Sequence, residues 1–176
     1  AMACSAAEAY AFVLYQVGAL AAFVQARGGR LHHVKPHGAL YNQAARDCEL
    51  ADAIARAVRD FDANLVLYGL AGSVLLDAGR DAGLKVAAEA FAERRYEADG
   101  SLRPRSLPGA VIERVEDAQA QVLGLLSRGE VLDIDGRAIK IDADTLCLHG
   151  DRPDAFDFAR RLRELLAESG VQVTAP

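Results

Sequence analysis

Residues 65–88 read LVLYGLAGSVLLDAGRDAGLKVAA. Leu65 to Tyr68 is a short apolar run, and Gly69 and Gly72 punctuate a turn. Ser73 to Ala82 then carries apolar side chains at helical spacing, Gly83 closes that helix, and Lys85 to Ala88 opens a second apolar run. The order strand, helix, strand is a βαβ unit, whose crossover helix requires the two strands to be parallel. The runs are continuously apolar rather than alternating, as expected of strands covered on both faces.

The same alternation extends outward in both directions. Upstream, Ala6 to Arg27 places Tyr10, Leu14, Val17, Leu20, Ala21 and Val24 on one helical face, and Gly28-Gly29 stops it. Leu31 to Lys35 reads as a strand and Ala51 to Phe61 as a helix. Downstream, no period holds from Ala90 to Ile112, where Asp99-Gly100, Pro104 and Pro108-Gly109 are turn signals. Glu116 to Arg128 returns to helix, and Val131 to Ile141 reads as a hairpin around Asp135-Gly136. Thr145 to Leu148 is a further strand, Pro153 opens a helix running to about Glu168, and Val171 to Val173 is strand-like. Five or so parallel strands predict an α/β fold, either an open sheet or part of a barrel, with residues 1–176 as a single domain. A complete (β/α)₈ barrel takes about 250 residues, more than the 176 here.

Composition narrows the function classes. A net charge of −5 without a basic patch argues against a nucleic-acid partner. The longest apolar candidate, Val13 to Val24, falls short of the roughly 18 residues of a membrane span, and no signal peptide is recognisable, so no membrane association is expected. Cys4, Cys48 and Cys147 are few, odd in number and far apart, which predicts reduced thiols and a cytoplasmic location.

Ligands of parallel α/β folds bind beyond the C-terminal ends of the strands. There the first strand presents Lys35, His37, Gly38, Tyr41 and Asn42; the alternative is a solvated Lys35 and a His37 that caps or fills a turn. Gly38 admits close backbone approach, and a helix starting there aims N–H groups at an anion. The second strand presents Gly69, Gly72 and Ser73, a turn suited to phosphate or carboxylate but without the lysine of a Walker A loop. The alternative for this turn is a tight strand-to-helix connection with Ser73 near the N-cap. The third strand is followed by Glu89 and Arg94, which either clamp an anion or pin the long loop. The fourth is followed by His149 and Asp151; His149 is a candidate acid–base group, and Asp151 before Arg152-Pro153 reads best as a helix cap. A metal held by His37, His149 and Asp151 is geometrically conceivable, and the sequence leaves metal content open. His32 and His33, on opposite faces of their strand, are expected to be a core residue and a residue packed under a helix.

The motifs resemble one family. They are VLYQVGAL (13–20), HVKPHGALYN (33–42), GLAGS (69–73), EAFAERRY (89–96), PRSLPGAVI (104–112) and LHGD (148–151). In this order they are similar to the LamB/YcsF family, that of the 5-oxoprolinase A subunit, formerly lactam-utilisation proteins. Glu93 stands where the family usually has Asp. The family's N-terminal βα units, with their Asn-Cys-Asp-x-Gly-Glu and related motifs, have no counterpart, so the chain resembles the C-terminal two-thirds of a member.

The resemblance implies a partial, irregular (β/α) barrel of deacetylase-like type. It also implies a subunit that works with two partner subunits to open the lactam of 5-oxo-L-proline to L-glutamate, using ATP with Mg²⁺. Lys35, His37 and His149 would then be catalytic. Gly38, Tyr41, Asn42, Gly69, Gly72, Ser73, Glu89, Arg94 and Asp151 would bind 5-oxoproline or ATP. Without the N-terminal units, apolar surface is expected to be covered by self-association or by a separate N-terminal segment. Two alternatives stand beside this reading: a truncated, non-catalytic scaffold or ligand-binding homologue, and, by fold analogy, a metal-dependent amide or N-acetyl hydrolase.

Overall fold

The computed structural model describes residues 3–174. Helices α1 (Ala6–Ala26), α2 (Gly38–Ala44), α3 (Cys48–Phe61), α4 (Val74–Asp81), α5 (Val115–Arg128) and α6 (Ala155–Glu168) are interspersed with six strands. The strands are β1 (His33–Val34), β2 (Val66–Leu70), β3 (Lys85–Phe91), β4 (Glu130–Leu132), β5 (Ala138–Lys140) and β6 (Thr145–Cys147). The fold is α/β, as the sequence predicts. A parallel four-stranded sheet has the order β1-β2-β3-β6, and β4 and β5 form the antiparallel hairpin expected around Asp135-Gly136. The chain divides into two compact units, residues 1–88 and 89–176.

The first unit is built by apolar packing. A capping box starts α1: Glu8 N–H donates to Ser5 Oγ at 3.3 Å and Ser5 N–H to Glu8 Oε2 at 2.8 Å. The buried stripe of α1 is Ala9, Val13, Val17 and Ala21, one residue every fourth position. The expected face holds for buried Val17 and Ala21 and for Tyr10 and Leu14, which pack against the core, but not for Leu20, which is 56% exposed, as Phe12, Tyr15 and Phe23 also are. The small side chains of the stripe lie against α3, whose own buried residues include Ala51, Ala53, Ala55 and Ala57. The unbroken length of α1 also corrects the expectation from run length. Its 21 residues reach a mean hydropathy of 1.5 over an 18-residue window, which meets the length and composition of a membrane-crossing helix. Its buried stripe is nevertheless part of the core formed with Leu50, Ile54, Val58, Leu67 and Leu75.

Beyond α1, Asp47 caps α3 by accepting from Leu50 N–H at 3.1 Å. Helix α4 lies so close to its strands that a Cβ at Gly79 would sit 2.7 Å from Val86 Cγ1 and 3.1 Å from Leu67 Cδ2. Only glycine fits that contact. Strand β1 is two residues long, shorter than predicted, and pairs His33 with Val66. His32 and His33 are both exposed, so neither is the core residue expected; the short strand leaves both rings outside the packed layer, with His33 stacked on Tyr68 at 4.3 Å.

The second unit begins with the end of β3, where Glu89 aligns with Thr145 and Phe91 with Cys147 of β6. The aperiodic stretch after it is ordered by single bridges, Arg94 with Val111 and Tyr96 with Leu102. Its core combines Ala92, Ile112, Ala118, Val122, Phe158, Leu162 and Leu166. Val171 to Val173 is not a strand: it has no sheet partner among the described residues, and Val171 N–H instead donates to Leu166 O at the end of α6.

Candidate functional site

Two clusters hold the residues singled out by sequence, one in each unit. In the first, Lys35 follows β1 and its Nζ lies 5.6 Å from the centroid of the buried Tyr41 ring. Gly38 opens α2 with φ +62° and open space where a Cβ would be. Asn42 Nδ2 donates to Gly38 O at 3.0 Å, which ties the first turn of this seven-residue helix together. His37 is the N-cap residue, is exposed, and makes no side-chain capping bond.

The end of α2 meets the start of α4, where Val74 N–H donates to Ala45 O at 3.2 Å. There Gly72 has φ +74° with open space around its Cβ position. Ser73 is the N-cap of α4 and only 4% exposed, and its Oγ has no hydrogen-bond partner among the described residues. A buried hydroxyl left unpaired is costly, so this atom is a ready donor for an incoming acceptor. Gly69 has a different role. A Cβ there would meet Leu76 and Leu75 at 3.1 and 3.2 Å, so its absence lets α4 pack onto β2.

In the second cluster, Glu89 lies within β3 rather than after it, because the strand runs on to Phe91; it is buried. Arg94 is also buried, with Nε donating to Ala110 O at 3.2 Å and Nη2 to Arg103 O at 2.6 Å. Burial pulls its pKa below the ordinary guanidinium value. Those bonds give Arg94 the loop-pinning role that was the alternative to anion binding. Asp151 is exposed and does not cap α6, whose N-cap is Asp154; Arg152 and Pro153 separate it from that N-cap. Instead Arg105 Nη1 donates to Asp151 Oδ2 at 2.5 Å, and this hydrogen bond lowers the Asp151 pKa.

His149 is held on three sides. Its Nδ1 lies against Glu93 Oε1, its backbone N–H donates to the same oxygen at 3.2 Å, and its ring stacks on Phe91 with centroids 5.5 Å apart. Glu93 is 2% exposed, and its Oε2 has no partner among the described residues.

Three further residues support this cluster without having been singled out. The two N–H groups of Gln121 Nε2 are shared among Phe91 O, Ala92 O and Arg94 O at 2.8, 3.2 and 3.0 Å. Phe91 N–H donates to Tyr96 Oη at 2.8 Å, and burial drives the Tyr96 pKa well above the ordinary phenol value. Glu93 is the third. The sequence signal for Gln121 is a polar residue at the spacing of Ala118 and Val122 on the apolar face of α5. Among the described residues, no group of three or more His, Cys, Asp or Glu side chains is gathered as a metal site.

The LamB/YcsF family profile matches residues 1–176. The chain belongs to the LamB/YcsF family. Among curated LamB/YcsF relatives, it is 57% identical over 174 residues to a protein of Tolumonas auensis named as the A subunit of 5-oxoprolinase, covering 99% of this chain and 69% of that one. It is 62% identical over 163 residues to a protein of the same name from Methylococcus capsulatus, covering 93% of this chain and 63% of that one. The crystal structure of a lactam utilization protein from Thermus thermophilus superposes with a TM-score of 0.90 at 50% identity, covering 99% of this chain and 70% of that one. The chain thus spans about two thirds of the length of the relatives it matches.

Proposed function

We propose that this chain is the greater part of the A subunit of a 5-oxoprolinase, which opens the lactam of 5-oxo-L-proline to L-glutamate with ATP and further subunits. The observation that carries this reading is the likeness, over 93–99% of the chain, to proteins named as the A subunit of 5-oxoprolinase. Both clusters support it. The reaction needs anion-binding groups for the substrate carboxylate and for phosphates, and a group that moves protons. Lys35, the backbone around Gly38 and Gly72, and the unpaired Ser73 hydroxyl fit the first need. ATP, with Mg²⁺, would supply phosphoryl activation of the lactam oxygen. Lys35 would face the developing negative charge, and His149 or His37 would move the proton. Tyr41 and Asn42 keep the Lys35 loop in shape, and the Arg105–Asp151 pair flanks the His149 strand end.

A cytoplasmic setting belongs to the same proposal, from the few, widely spaced cysteines of the sequence. The exposed Phe12, Tyr15, Leu20 and Phe23 on α1 support association with further polypeptide.

The test is a chimaera in which this chain replaces the matching 69% of the Tolumonas auensis relative, assayed with its partner subunits for ATP-dependent glutamate formation. The chimaera is expected to turn over, and Lys35→Ala to lower kcat by about 100-fold, the scale of one lost charge-stabilising donor. A soluble chimaera that assembles but is inactive overturns the proposal. Unchanged turnover in Lys35→Ala removes Lys35 from the mechanism.

A further inference from the structure

The parallel register of β3 and β6 pairs Phe91 with Cys147, and Ala92 N–H still donates to Cys147 O at 3.1 Å beyond the strand end. Two residues farther along each chain segment lie Glu93 and His149. The backbone register therefore delivers this acid to this imidazole.

The pairing has a direction. Glu93 Oε1 already accepts the backbone N–H of His149 at 3.2 Å. With Glu93 as a carboxylate, which only accepts, the ring nitrogen set against the same oxygen is the donor. Oε2 has no partner among the described residues, so the buried carboxylate has no second donor to turn towards. The Phe91 ring, 18° from parallel with the imidazole, covers one face and resists rotation of the ring.

We propose that Glu93 is a positioning residue for His149: its carboxylate holds the imidazole as the Nδ1–H tautomer and leaves Nε2 as the atom that exchanges the reaction's proton. That Nε2 exchanges a proton with substrate rests on the proposed function; the tautomer itself does not. When Nε2 takes a proton the ring becomes cationic beside the negative Glu93, and when Nε2 gives it up the ring returns to neutral. The Nδ1 proton stays on nitrogen throughout.

The test is long-range ¹H–¹⁵N spectroscopy of the chain carrying ¹⁵N-labelled histidine, at about pH 8, above the ordinary imidazole range near 6.5. His149 is assigned by the signals lost in His149→Gln. In the unmodified chain His149 is expected to show a protonated Nδ1 and an unprotonated Nε2. In Glu93→Leu that signature is expected to average or reverse, while those of His32, His33 and His37 stay in place. A protonated Nε2 in the unmodified chain overturns the proposal outright, even if Glu93→Leu does not fold. So does an unchanged signature in a folded Glu93→Leu. In the active chimaera, Glu93→Leu is expected to lower kcat about 100-fold with KM within about twofold. If His149→Gln leaves turnover intact while the tautomer signature holds, the role of His149 in the reaction fails and the action of Glu93 on the ring stands.

Discussion

Residues 1–88 and residues 89–176 solve the same problem by different means. The first unit is held by apolar side chains at regular spacing: the Ala9-Val13-Val17-Ala21 stripe, the alanines of α3, and the glycine contact of α4. The second unit buries polar groups. Glu93, Arg94, Gln121 and Asp133 are each less than a tenth exposed; the first three bond to backbone in and beside the aperiodic stretch after β3, and Asp133 accepts from Asp135 and Arg137 N–H in the β4–β5 turn. Such a scaffold fixes backbone carbonyls and N–H groups in place, which suits a site needing a defined geometry. The difference teaches that apolar volume holds the first unit, whereas the second adds buried hydrogen bonds to an apolar core of its own.

Substitutions can break that contrast. The largest effect is expected from volume loss in the first unit: Ile54→Ala, at a fully buried position, should cost about 4 kcal/mol in urea denaturation. Gln121→Leu keeps apolar bulk but strips three carbonyls of their donor, and should cost about 3 kcal/mol. Hydrogen exchange should then rise in residues 91–96. If Gln121→Leu is as stable as the unmodified chain, the polar scaffold is ornamental and the contrast fails.

Tyr96→Phe removes the acceptor of Phe91 N–H and should cost about 1–2 kcal/mol by the same measurement. Because the Tyr96 pKa is raised on folding, its contribution is fully present below the ordinary phenol value near 10 and is lost as pH rises above it. Tyr96→Phe should therefore flatten the alkaline limb of a stability–pH curve. The smallest effect belongs to exposed Asp151, whose pKa is lowered on folding by Arg105. Its contribution is present above the ordinary carboxylate value near 4 and is lost as pH falls through the folded pKa. Asp151→Asn should slightly flatten the acid limb, and 1 M salt should weaken the same pair in the unmodified chain.

The contrast also sets what the sequence can reveal. The βαβ unit of residues 65–88, the parallel sheet and the Asp135-Gly136 hairpin are legible because periodicity and turn chemistry are local. The face of α1 is read correctly at Val17 and Ala21 and wrongly at Leu20, because small Ala9 ranks low as an apolar marker beside the exposed leucine. Lys35, His37, Gly38 and His149 stand out by residue type at strand ends. Glu93 and Gln121 escape because their importance comes from partners 56 and about 30 residues away, fixed only by the register of β3 with β6 and the packing of α5.

The most direct measurement is ATP-dependent conversion of 5-oxoproline to glutamate by the chimaera with its partner subunits, comparing the unmodified chain with Lys35→Ala and His149→Gln. The account predicts turnover that requires ATP and that falls by about 100-fold or more in each variant. Turnover that is indifferent to ATP, or equal in all three proteins, would contradict it.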